Sequence, residues 1–105
     1  MFAHSVYFWL KEGLGEEGLN HFREGLNSLA AIDTVKQSYI GVPALTDRAV
    51  IDRTYSYALI LIFDDQKGHD VYQEHEAHDK FRNECSVYWS KVLIYDCVAS
   101  RERSS

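Results

Sequence analysis

Apolar residues change their spacing several times along this chain, and each change marks an element. From Phe2 to Leu10 the residues are aromatic, apolar or β-branched, with His4, Val6, Phe8 and Leu10 opposing Ser5, Tyr7 and Trp9, which predicts a strand. Gly13 and Gly15 interrupt it. From Glu16 to Ala31 the apolar positions Leu19, Phe22, Leu26 and Leu29 recur at spacings of three and four, which puts them on one face of a helix. Val35 to Ile40 predicts a second strand, stopped by Gly41 and Pro43, and a polar loop follows from Ala44 to about Arg53. Tyr55 to Phe63 is the clearest strand of the chain. Asp64 and Asp65 are N-cap candidates for a helical region from Gln66 to Trp89, broken near its middle. Val92 to Val98 predicts the last strand.

The order is β-α-β-β-α-β, the split βαβ or ferredoxin-like α+β arrangement. Read this way, the first strand pairs with the third, and the last pairs with the second at a sheet edge. His4 and Asp96 then share a face without needing to meet.

Both faces of the strands are apolar. Tyr57, Leu59, Leu61 and Phe63 alternate with Ala58, Ile60 and Ile62, and Val92 and Ile94 alternate with Leu93, Tyr95 and Cys97. A sheet with one wet face alternates apolar with polar residues instead. Two helical regions cover one face only, and a bare second face exceeds the apolar patch usual for a monomer. A homodimer, with the two sheets packed face to face through a two-fold axis, is the expected solution.

Size and charge narrow the function classes. The chain has 105 residues, enough for a single domain over 1–100, with a flexible polar tail expected at 101–105. A formal charge of −5 and the absence of a basic patch argue against nucleic acid as a partner. The longest apolar run, Ala58 to Phe63, is too short to span a bilayer, and no signal-peptide pattern precedes it, so a cytoplasmic protein with no membrane partner is expected. Cys85 and Cys97 are expected as free thiols, at least partly buried.

Three stretches carry a family likeness: His4-Ser5-Val6-Tyr7-Phe8-Trp9-Leu10-Lys11-Glu12, Tyr55 through Phe63, and Tyr72-Gln73-Glu74-His75-Glu76-Ala77-His78. With the ending Val92-Leu93-Ile94-Tyr95-Asp96, they make residues 2–98 resemble the stress-responsive A/B barrel family, whose members form dimeric α/β barrels. Most members have no assigned activity, and many carry a stress-response label. One member is a plant polyketide cyclase that closes an aromatic ring by aldol chemistry. The resemblance places its acid–base tyrosine and histidine at Tyr72 and His78, its N-terminal histidine at His4 and its last-strand aspartate at Asp96. Two departures stand out: Glu76 replaces a frequent proline, and Tyr57 replaces a histidine that lines the cyclase pocket.

The expected pocket lies between helices and sheet. Tyr72, His75 and His78 recur every three residues on one side of the helical region, over an apolar floor of Phe8, Leu59 and Leu61. His4, Val6, Phe22, Leu26, Tyr57, Trp89, Ile94 and Asp96 complete the expected ligand-binding set. A neutral histidine takes a proton next to a carbonyl, and a tyrosine hydroxyl donates to the carbonyl oxygen. The expected ligand is therefore small, apolar and carbonyl-bearing, with cyclase- or lyase-like acid–base chemistry and no cofactor. A non-catalytic dimeric stress protein and a monooxygenase-like barrel are the alternatives. Each residue also has a plain structural role: Tyr72 as a core-edge aromatic, His78 as a satisfied buried histidine, His4 as a strand histidine, His75 as a surface or dimer-edge residue. Glu74, His75, Glu76, His78 and Asp79 hold no recognised third-ligand spacing, so no metal is expected. His69 and Asp70 read as polar residues of a helix's first turn, and His21 as exposed.

Overall fold

The computed structural model describes residues 1–103. Its elements are β1 (Phe2–Leu10), α1 (Gly15–Ala30), β2 (Gln37–Gly41), β3 (Tyr57–Phe63), α2 (Gln66–Glu74), α3 (Glu76–Cys85) and β4 (Trp89–Val98), with short 3-10 turns at Ser86–Tyr88 and Ser100–Glu102. The fold is ferredoxin-like α+β with a four-stranded antiparallel sheet. Of the expected tail, Arg101 and Glu102 belong to the second turn, where Glu102 meets the Met1 amino group at 2.8 Å. Residues 104–105 lie outside the described residues.

The strand order is β2-β3-β1-β4, which corrects the pairing expected for the last strand. β4 pairs with β1, not with β2, and the register sets His4 opposite Asp96, Val6 opposite Ile94 and Phe8 opposite Val92. The reason lies in the connections. β2 follows β3's edge as its antiparallel neighbour, so β3 fills the place between β1 and β2, and the α2–α3 crossover carries the chain past β1 to its free side.

The helical region breaks where His75 leaves helical backbone at ψ 142°. Its Nδ1 accepts from the Ala77 amide at 3.0 Å and so caps α3. Asp65 caps α2 by accepting from the Gly68 amide at 3.0 Å. Trp89 opens β4 and does not end a helix, because the turn at Ser86–Tyr88 has already closed the helical segment. β3 starts at Tyr57, two residues later than expected, since the Ser56 hydroxyl takes the Leu10 amide that a longer ladder would use.

Phe22, Leu26 and Leu29 from α1 pack with Phe8, Leu59, Leu61 and Phe63 of the sheet to form the core. α1 packs on β2, α2 packs on β1 and β3, and α3 meets the start of β4 where Phe81 stacks on Trp89. Val92 and Ile94 on the helix side of β4 are 39% and 48% exposed. On the other face, Tyr39 and Tyr95 are more than half exposed, and Tyr7, Tyr55 and Tyr95 form a chain of edge-on aromatic contacts. Among the described residues no helix is long and apolar enough to cross a membrane.

Candidate functional site

A cavity of about 280 Å³ lies between α2, α3 and the helix side of β1 and β4. Its floor is Val6, Phe8, Leu59, Val92 and Ile94, and Phe81 and Trp89 close one end. Tyr72, His78 and His4 supply its polar groups, together with Gln73 and Arg82.

α2 presents Tyr72 to the sheet, where it is buried against Phe63, with ring centroids 5.3 Å apart. α3 begins beyond the His75 break, and this change of direction brings His78 edge-on to the Tyr72 ring at 5.1 Å. His78 Nδ1 is buried and has no hydrogen-bond partner among the described residues. Burial, with Arg82 nearby, holds the His78 imidazole below its ordinary pKa, so it is neutral at pH 7. Burial, reinforced by the Asp96 charge, raises the Tyr72 phenol far above its ordinary range, so it stays a proton donor.

His4 Nδ1 donates to Asp96 Oδ1 at 2.5 Å, a contact made unavoidable by their facing positions in β1 and β4. Burial nevertheless dominates and lowers the His4 pKa; the Asp96 bond and charge oppose the shift, and His69 adds to it. The His4 ring also lies edge-on to Tyr72 at 5.5 Å. His69 is buried within the same cluster, 4.9 Å from His4 between ring centroids and stacked on Phe2 at 4.5 Å.

The structure thus gathers Tyr72, His78, His4, Val6, Phe8, Leu59, Trp89 and Ile94 around one cavity, with Asp96 behind His4. Phe22, Leu26 and Leu61 are not on its wall; they are fully buried in the core behind it. Tyr57 is drawn away by Arg23, whose guanidinium donates to the phenol oxygen at 2.9 Å. His75 is spent as a helix cap. His21 is half-buried and not free, held by Tyr88 at 2.7 Å and Glu84 at 3.2 Å. Cys85 is buried with a raised pKa from desolvation, whereas Cys97 is exposed, contrary to its expected partial burial. His69, Gln73, Phe81, Arg82 and Val92 escaped the sequence reading. His69 had one signal, since it precedes Tyr72 by three residues and so shares the inward face of α2.

The family model described as "Stress responsive A/B Barrel Domain" matches residues 2–99. The chain belongs to that family. No curated relative matches it. Among solved structures, a Dabb family protein with a ferredoxin-like fold from Mesorhizobium loti is 25% identical, with TM-score 0.75 over 93% of this chain and 95% of that one. A dimeric ferredoxin-like protein of unknown function from Thermobifida fusca is 18% identical, with TM-score 0.74 over 93% and 90%. The hydroxynitrile lyase from Passiflora edulis is 16% identical, with TM-score 0.76 over 94% and 93%. The ferredoxin-like fold of this chain is therefore shared with a Dabb family protein, with a dimeric protein of unknown function and with an enzyme.

Proposed function

We propose that this A/B barrel protein is a homodimer that binds a small apolar carbonyl compound and acts on it by acid–base chemistry. The observation that carries the reading is the buried, partnerless His78 Nδ1 beside Tyr72 on an apolar cavity. A buried polar atom left unpaired costs about 1–3 kcal/mol, and a bound ligand removes that cost. The volume of about 280 Å³ falls at the small end of ligand pockets and fits a one-ring molecule.

His78, neutral at pH 7, removes the proton next to the carbonyl, and Tyr72 donates to the oxygen on which charge develops. The enolate carbon then forms a bond to a second carbonyl carbon, and the proton held by His78 returns to the new alkoxide. For a cyanohydrin the same base takes the hydroxyl proton, the C–C bond to cyanide breaks, and cyanide leaves with a proton. The likeness of fold to a hydroxynitrile lyase supports the second version.

Dimerisation is supported by the aromatic, apolar outer face of the sheet and by the dimeric relative from Thermobifida fusca. Mandelonitrile cleavage and acetophenone binding, the latter followed by tryptophan fluorescence in a Trp9→Phe background that leaves Trp89, test the site. Tyr72→Phe and His78→Ala are expected to lower cleavage at least about 100-fold, the usual contribution of a positioned proton-transfer group. If wild type neither cleaves nor binds either probe, or if both variants match it, the protein is a non-catalytic family member.

A further inference from the structure

Beside the Tyr72–His78 pair, His4 on β1, His69 on α2 and Asp96 on β4 each offer one ligand atom, and these atoms lie within 4.8 Å of one another. We propose that His4, His69 and Asp96 bind a divalent transition-metal ion such as Zn²⁺ or Co²⁺. The Glu74–Asp79 run offers no third ligand at a recognised spacing. The three residues found here come from three elements that only the fold unites.

The donor set is two imidazoles and one carboxylate, which suits first-row ions of borderline softness and not Mg²⁺ or Ca²⁺, which prefer oxygen. Bonds of about 2.0–2.1 Å place tetrahedral ligand atoms roughly 3.3 Å apart. His4 Nδ1 and Asp96 Oδ1 stand at 2.5 Å, and His69 Nε2 and Asp96 Oδ2 at 4.0 Å. These two distances run to different Asp96 oxygens; counted with one ligand atom per residue the donors lie within 4.8 Å of one another, so the edges adjust by up to about 1.5 Å, within the rotamer range of the partly exposed Asp96 side chain. The His4 Nδ1 proton moves to Nε2 as the ion takes its place.

The surroundings of His69 add an independent argument. Its Nδ1 donates to Asp70 Oδ1 at 3.2 Å, which leaves the lone pair on Nε2, the atom that faces Asp96. A carboxylate behind a histidine, fixing its tautomer and raising its basicity, is the usual support of a metal-binding imidazole. Gln73 donates to that same Nε2 at 3.2 Å and can swing aside, since its side chain is exposed. An ion enters from the outer groove that Phe2, Gln66, Asp96 and Arg103 line. Ion binding here needs no organic ligand and is independent of the acid–base reading.

The test is titration of the chelator-treated full chain with Co²⁺ and Zn²⁺, read by visible Co²⁺ absorption and by calorimetry. One ion per chain, with a Kd in the micromolar range or tighter, is expected. His69→Ala is expected to weaken binding at least about 100-fold, and Asp70→Asn about 10-fold or more. Asp70 is exposed, so its variant gives a reading even if His69→Ala fails to fold. His21→Ala, which removes the surface histidine paired with Glu84, is expected to leave binding unchanged. Absence of binding to wild type, or unchanged affinity in Asp70→Asn, or loss of the ion in His21→Ala, overturns the proposal.

Discussion

Gly25 of α1 sits against α3, and replacing it with alanine sets two effects of known sign against each other. Alanine is favoured over glycine inside a helix by about 1 kcal/mol. A Cβ at Gly25, however, would stand 2.8 Å from Phe81 Cδ1 and 2.9 Å from Cys85 Sγ. Both neighbours are buried, at 5% and 1% exposure, so neither has space to retreat. Overpacking of this kind costs about 1–3 kcal/mol. The cost exceeds the gain by about 1 kcal/mol, which corresponds to a fall in Tm of about 4–8 °C for a domain of this size. Gly68 in α2 is the internal control, since its nearest neighbour, Phe63 Cβ, is at an ordinary 3.6 Å. Gly68→Ala is therefore expected to leave Tm unchanged or to raise it. Thermal unfolding followed by circular dichroism at one protein concentration compares them, because association also stabilises the folded chain. Phe81→Leu should recover part of the loss in the Gly25→Ala background. A Gly25→Ala protein as stable as Gly68→Ala would show that α1 and α3 do not pack this closely.

Ile60→Asp puts a charge on the outer sheet face and is expected to give a particle of the 12.1 kDa chain mass by light scattering, where wild type is expected to give twice that. Asp65→Ala removes the α2 cap and should cost about 1 kcal/mol in urea unfolding, with little change in its slope. His4 and His78 have folded pKa values below the ordinary 6.5, so the unfolded chain binds protons more readily. Their contribution to stability is complete above that pH and is lost as pH falls through the folded values. The groups facing them are Asp96 and His69 for His4, and Arg82, Asp79, His4 and His69 for His78. Urea unfolding with chelator present, between pH 7.5 and pH 5, should show a decline that is weaker in His78→Gln; a flat profile would mean that neither imidazole is shielded.

What the sequence makes legible here follows from local patterning. The alternation in β3 and the three-and-four spacing in α1 place Leu59, Phe22 and Leu26 on inward faces, since side-chain period depends only on backbone geometry. The break in the helical region is also local, and the structure shows how it is made: His75 caps the following helix itself, so no proline is needed at Glu76. Distances between elements are a different matter. Phe22, Leu26 and Leu61 carry the same apolar signal as Phe8 and Leu59, and only the packing of helices on the sheet decides which of them meet a cavity and which meet each other. The contact between His4 and Asp96 spans 92 positions in the chain. It depends on β4 lying beside β1, and both candidate edges of the sheet satisfy the hydrophobic pattern of β4 equally well. What separates them is the hand of the helical crossover: β3 and β4 run parallel, each antiparallel to β1, and a right-handed connection over the helix-covered face carries β4 to the β1 edge. Once that crossover is known, the facing of His4 and Asp96 follows from register alone, and α2, which leads that crossover, brings His69 to the same spot. The polar cluster is therefore a consequence of topology, whereas the core is a consequence of pattern.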